Sequence, residues 1–264
     1  MAEPSAPGPF DISIAVPALA EPTKPGPFDI SIVVPAFNEE RRLPKAIAQL
    51  KSFLEASPLR AEVLLVENGS VDRTAEIADQ AANSDDRFCS LHVPTRGKGR
   101  AVREGVLASR GAVVLFCDAD FSMPPEGIDD LYHAVDKGVD IASASREAPG
   151  AHRVGEPWRR HVQGRVFNWL VRVLALPGLQ DTQCGFKAFR RDVAQDLFRR
   201  QVVDGWAFDV EVLFLARRRG YSIREVPVTW WYDPSSRVSP VRDTIAMLRE
   251  LVTIRLDALR GRYG

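Results

Sequence analysis

No apolar run in these 264 residues is longer than about six, and a helix that crosses a bilayer needs ~20, so no membrane-spanning helix is expected. A secretory signal is absent too. Residues 1–30 are broken by prolines and acids where an uninterrupted apolar stretch should lie. Cysteine is scarce: Cys89, Cys117 and Cys184 are widely spaced, form no CxxC pair and have no histidine at metal-binding spacing. That excludes a zinc ribbon and a disulfide framework, and leaves free thiols in a reducing compartment. The four histidines, His92, His133, His152 and His161, share no spacing and are assigned no metal. Neither common phosphate-binding fingerprint occurs, since there is no GxxxxGK[ST] and no GxGxxG opening a helix. Net charge is missing as well, with 35 basic residues against 35 acidic, and nothing points to a nucleic-acid partner.

The zero net charge conceals a split. Residues 146–264 carry 21 basic and 13 acidic side chains, and residues 1–145 carry 14 and 22. An acidic half that binds a cation and a basic half that binds anions would suit an enzyme joining a metal-bound donor to a charged acceptor; chance distribution of surface charge gives the same numbers. Near the start, the octapeptide Pro7 to Ile14 recurs verbatim as Pro25 to Ile32, and Ala20 stands where the second copy has Asn38. Two copies of ~18 residues build no solenoid. The expected organisation is a Pro-rich, mostly disordered leader over 1–26, then one catalytic domain in two halves, 27–145 and 146–264.

From Phe28 strands and helices alternate. Strands are expected at 30–34, 62–66, 88–93, 112–117, 140–143 and 223–228. Helices are expected at 39–54, 71–82 with Ser70 as N-cap, 99–109, 126–136, 157–175, 192–200, 208–219 and 240–258. This βαβα pattern predicts an α/β fold, a mostly parallel sheet flanked by helices, with ligands at the C-terminal ends of the strands.

Four strand ends carry polar residues. The first runs into Pro35-Ala36-Phe37-Asn38-Glu39, the second into Glu67-Asn68-Gly69-Ser70, the third into Gly97-Lys98-Gly99 and the fourth into Asp118-Ala119-Asp120. Two carboxylates spaced i, i+2 after a β-branched run offer hard oxygen donors suited to Mg²⁺ or Mn²⁺, with positions left for a diphosphate. Amide and carboxylate groups on the first two ends can bond a base and ribose, and the Gly-Lys-Gly turn allows close approach to an anion.

Those motifs resemble family 2 glycosyltransferases of the GT-A fold, the fold of nucleotide-diphospho-sugar transferases. Ser145-Arg146, Asp181 to Lys187, Trp206 to Glu211 and Glu225 to Trp230 are similar to the dolichyl-phosphate β-glucosyltransferase branch and its polyprenyl-phosphate relatives. The resemblance implies that Pro35, Ala36, Asn38, Glu39, Glu67, Asn68, Gly69, Lys98, Asp118 and Ala119 hold a nucleotide-sugar. It implies a divalent metal on Asp120, with Asp118 beside it, and an acceptor phosphate gripped by Arg146 and Arg160 with Gln183 nearby. Glu67-Asn68 replaces the commoner Asp-Asp, and Gly164 stands where the branch often has a hydroxyl. Many members carry transmembrane helices after the catalytic domain, whereas this sequence stops at Gly264, so the expected location is cytoplasmic, with a peripheral contact at the cytosolic membrane face as the alternative.

The implied reaction is metal-dependent, inverting transfer of a hexose, with glucose from UDP-glucose the expected donor, to a polyprenyl or dolichyl phosphate. A soluble hydroxyl acceptor is the alternative, and a nucleotide-sugar-binding module without turnover a third reading. A hydroxyl acceptor needs a carboxylate to take its proton. Asp209 and Glu211 are the candidates, and i and i+2 point ~200° apart on a helix, so Asp209 is chosen, against a helix-cap role. The segment 158–174 spaces Trp158, Val162, Val166 and Trp169 along one face, with Arg159, Arg160, Arg165 and Arg172 mostly elsewhere. It reads as an interfacial membrane helix or as a core-packing helix with a solvated basic face.

Overall fold

The computed structural model describes residues 27–158, 161, 164, 165, 171, 176–233 and 242–263, with the side chains of 242–245 left out. The expected leader over 1–26, Arg160 and most of the amphipathic segment 158–174 lie outside the described residues. The first half alternates as the periodicity predicts: β1 (Phe28–Ala36), α1 (Leu43–Ala56), β2 (Ala61–Glu67), α2 (Thr74–Ser84), β3 (Phe88–His92), α3 (Lys98–Ala108), β4 (Gly111–Cys117), α4 (Gly127–Asp136) and β5 (Ile141–Ser145). There follow β6 (His152–Val154), β7 (Phe186–Arg190), α5 (Arg191–Arg200), α6 (Phe208–Arg218), β8 (Ile223–Pro227), β9 (Thr229–Trp231) and α7 (Arg242–Leu259).

Seven strands form one sheet in the order β3-β2-β1-β4-β7-β5-β8, and β6 pairs with β9 in a separate parallel ribbon. Every neighbour in the large sheet is parallel except β7, which runs antiparallel between β4 and β5. Alternation along the strands feeds two cores. In β4, Val113, Leu115 and Cys117 join the layer under α1, α2 and α4, while Val114 and Phe116 join the layer under α3, α5, α6 and α7. Phe116 lies at the centre of the second layer, with the rings of Phe189, Phe198 and Phe208 5.5–6.3 Å away. Each such buried ring stabilises the fold by about 1.5–3 kcal/mol.

Three strands were not expected, and β7 shows why. Its sequence Phe-Lys-Ala-Phe-Arg puts Lys187 between Phe186 and Ala188, where it reads as a solvent-facing residue, yet Lys187 is 0% exposed. Ser70 is not an N-cap. The helix α2 starts at Thr74, whose N–H bonds Asp72 Oδ1 at 3.0 Å, and the Ser70 hydroxyl instead accepts the N–H of Asn38. Likewise α1 begins at Leu43 rather than near Glu39.

Pro35 lies within the central strand β1, where a missing N–H is normally costly. Pairing of β1 with β4 ends at Val33 opposite Phe116, two residues before the proline, while pairing with β2 runs on to Ala36 opposite Glu67. So the sheet parts between β1 and β4 at their C-terminal ends, the place where a parallel sheet accepts a ligand.

Candidate active site

The loops after β1 and β2 are stitched together by side chains. Asn38, at φ +54, accepts the Val71 N–H on Oδ1 at 2.9 Å, and the Glu39 N–H donates to Thr74 Oγ1 at 2.7 Å. The Arg42 guanidinium chelates Glu39 and reaches Asp233 at 3.3 Å. Glu67 accepts the Ser70 N–H and faces His92 Nδ1 at 3.5 Å. Asn68 ties three strand ends at once, since its N–H donates to Ala36 O at 3.2 Å and its Nδ2 to Gly97 O at 3.1 Å. Gly69 takes φ +75, and a Cβ there would stand 3.2 Å from Pro94 O.

Lys98 opens α3 and pairs with Asp118 Oδ1 at 2.6 Å. Burial disfavours its charge, but Asp118 and then Asp209 outweigh that and raise its pKa above the ordinary lysine value. Lys98 Nζ also lies 5.1 Å from the ring centre of Trp206, which is 40% exposed. Asp120 takes the Ser122 N–H on Oδ1 at 2.9 Å. Burial and the neighbouring Asp118 raise its pKa, opposed by that N–H, Lys98 and Arg42. Ala119 between the two acids is buried.

Behind this pair lies a second one. Asp209, 3% exposed on α6, bonds Lys187 Nζ at 2.7 Å, and Lys187 also donates to Cys184 O at 2.6 Å. The carboxylate expected to take a proton from an acceptor therefore lies beneath the Asp118–Lys98 pair, engaged by a buried lysine. Glu211 is turned elsewhere, with both oxygens on the N–H groups of Val202 and Val203.

Arg146, at the end of β5, is bound side-on by Asp181 through Nε at 2.7 Å and Nη2 at 2.9 Å. Burial works against both charges, but each holds the other ionised: the Arg146 pKa is raised and that of Asp181 lowered. The guanidinium is thus oriented with one edge anchored, and Trp230 lies 5.5 Å from its centre. Gln183 has its N–H on Asp181 Oδ1, and its side-chain Nε2 is buried with no hydrogen-bond partner among the described residues.

The structure brings together Asn38, Glu67, Asn68, Lys98, Asp118 and Asp120, with Pro35, Ala36, Glu39 and Gly69 in the adjoining strand ends and Arg146 with Gln183 on the β5 side. Sequence reasoning missed Arg42, Lys187 and Trp206 as members of this neighbourhood. The first is a charged residue next to Glu39 at helical spacing; the other two lie inside motifs already singled out, but only the folded chain shows their partners. Among the described residues no group of three or more His, Cys, Asp or Glu gathers as a metal cage, and no helix is long and apolar enough to cross a membrane.

Residues 31–198 match the family model described as Glycosyl transferase family 2. A dolichyl-phosphate β-glucosyltransferase of Dictyostelium discoideum is 32% identical over 240 residues, 85% of this chain and 73% of that protein. The Homo sapiens dolichyl-phosphate β-glucosyltransferase is 35% identical over 247 residues, 86% of this chain and 75% of that protein. Among solved structures, glucosyl-3-phosphoglycerate synthase from Mycobacterium tuberculosis, in complex with Mn²⁺, UDP and phosphoglyceric acid, superposes with a TM-score of 0.64 at 20% identity, covering 90% of this chain and 79% of that one. The architecture is the GT-A fold.

Proposed function

The chain belongs to glycosyl transferase family 2, and from that premise we propose that it transfers glucose from UDP-glucose to a dolichyl or other polyprenyl phosphate, with inversion and with Mg²⁺ or Mn²⁺. The names of the human and Dictyostelium relatives support the acceptor, and the Mn²⁺ and UDP of the mycobacterial structure support the donor and the metal. In this reading residues 27–145 hold the donor and 146–264 the acceptor, at the cytosolic face of a membrane.

The donor set fits a hard divalent ion. Asp118 and Asp120, two residues apart, would supply its oxygen ligands, and burial followed by the neighbouring Asp118 raises the Asp120 pKa. When bound, the ion supplies positive charge against the leaving diphosphate. Lys98 adds a second positive charge there, and Asn68 fixes the backbone turn that carries it. An oxygen of the lipid phosphate forms the new bond at the anomeric carbon from the face opposite the diphosphate. The bond from that carbon to the diphosphate oxygen breaks, and UDP leaves with the electron pair. Arg146, held by Asp181, presents its free edge to the phosphate.

The burial of Asp209 carries the choice of acceptor. A sugar hydroxyl requires a base that can reach it, whereas a phosphate oxygen is already anionic at pH 7 and requires none. The test is release of UDP from UDP-glucose, with and without metal and a short polyprenyl phosphate. Release that needs both, with a glucosyl lipid formed and little turnover left in Asp120→Asn, is the expected result. Turnover with a soluble hydroxyl acceptor, abolished by Asp209→Asn and spared by Arg146→Ala, would overturn the lipid-phosphate reading. Donor binding without any turnover would favour a binding module.

A further inference from the structure

The structure assigns Glu211 and Tyr263 a positioning role: they hold residues 201–207, and through that segment Lys98, in place for the donor diphosphate. The inference rests on the donor reading above. Neither residue faces the cleft, since Glu211 is 0% and Tyr263 6% exposed.

The backbone around Lys98 is packed against a second segment of the chain. The flanking glycines let another segment press against the turn: a Cβ on Gly97 would lie 2.5 Å from Asp204 O, and one on Gly99 would lie 2.6 Å from both Val203 O and Phe208 Cβ. Gln201 Nε2 bridges the two pieces, donating to Gly99 O at 2.9 Å and Val203 O at 2.8 Å. Trp206, in the same segment, faces the ammonium. Residues 201–207 therefore form one wall of the place where Lys98 meets Asp118.

That wall is fastened from behind. Glu211 accepts Val202 N–H on Oε1 at 2.9 Å and Val203 N–H on Oε2 at 2.8 Å, and the Tyr263 hydroxyl donates to Oε1 at 2.7 Å. Three neutral donors thus satisfy a buried carboxylate that has no ion-pair partner among the described residues. The helix α7 adds a second fastening, Glu250 Oε2 on the Ala207 N–H at 2.9 Å. A hydroxyl near the end of the chain is in this way linked by one carboxylate and one short loop to the lysine at the strand ends.

The test uses Tyr263→Phe, which removes the hydroxyl and keeps the ring, in the wild-type and Lys98→Met backgrounds. Glu211→Gln is the stronger change but puts folding itself at risk, so Tyr263→Phe is the deciding variant. Calorimetry with UDP and Mn²⁺ gives donor affinity, steady-state kinetics separate the KM for UDP-glucose from that for the lipid phosphate, and thermal melting reports the fold. The expected result is UDP binding weakened roughly 3–10-fold by Tyr263→Phe, with the KM for the lipid phosphate unchanged and no further loss when Lys98 is already methionine. Equal losses in both backgrounds would mean a general effect on the fold and overturn the inference, as would intact UDP binding in Tyr263→Phe. Absence of UDP binding by the wild-type protein overturns the donor reading and the inference with it.

Discussion

Gly185 lies directly against Asp118: a Cβ built on the glycine would stand 2.0 Å from Oδ2 and 2.4 Å from Cγ. Asp118 has little freedom to move aside, because its Oδ1 holds Lys98 at 2.6 Å. Gly185→Ala therefore forces the carboxylate off the lysine and out of line with Asp120. The glycine is buried between Cys184 and Phe186 of the first core, and the added methyl would meet Asp118 first. Turnover should fall by about 10²-fold, the scale of loss for a misplacement near 1 Å, with a small change in melting temperature. Kinetics and melting on the same preparation check this, and near-normal turnover would show that Asp118 can shift without cost.

Lys187→Met tests the buried pair instead. It leaves the Asp209 carboxylate, 5% exposed at its side chain, without the lysine at 2.7 Å. Removing one partner of a buried ion pair destabilises by about 3–5 kcal/mol, while replacing both partners by apolar groups is often neutral. Denaturant unfolding should show that loss for Lys187→Met and recovery of most of it in Lys187→Met/Asp209→Leu. A double variant no more stable than the single one would mean that the pair has a net stabilising role of its own.

The sheet and the gathering of its polar strand ends were legible because β-branched runs ending in polar residues mark buried strands and their open ends, as in Val113 to Cys117 followed by Asp118. What the sequence hid were partners far apart along the chain. Arg146 reads as an anion-binding residue, and nothing in its surroundings announces that Asp181 occupies one edge of it. Asp209 and Glu211 were expected to point to different sides, and they do, but the period of a helix cannot say that Lys187 waits on one side and the 202–203 backbone on the other. The strand β7 was missed for the same reason, since a lysine reads as buried only once its carboxylate is known.

His92, at the end of β3, places a titratable ring between Asp79 of α2 and Glu67 at the end of β2. Its Nε2 lies 2.9 Å from Asp79 Oδ1 and its Nδ1 3.5 Å from Glu67 Oε2. Burial favours the neutral ring, but the two carboxylates outweigh it and raise the pKa above the ordinary histidine value. A group whose pKa is raised on folding contributes stability that is fully present below its unfolded pKa, about 6.5, and lost as pH rises through the folded value. The Ser90 hydroxyl lowers the Asp79 pKa, so Asp79 stays ionised across that window and the change belongs to the imidazole. Wild type and His92→Gln should therefore differ most in melting temperature near pH 5.5 and converge by about pH 8.5. Because the ring is 46% exposed, the gap should also shrink in high salt. A gap that stays constant with pH would show that packing of the ring, and not its charge, is what holds Glu67.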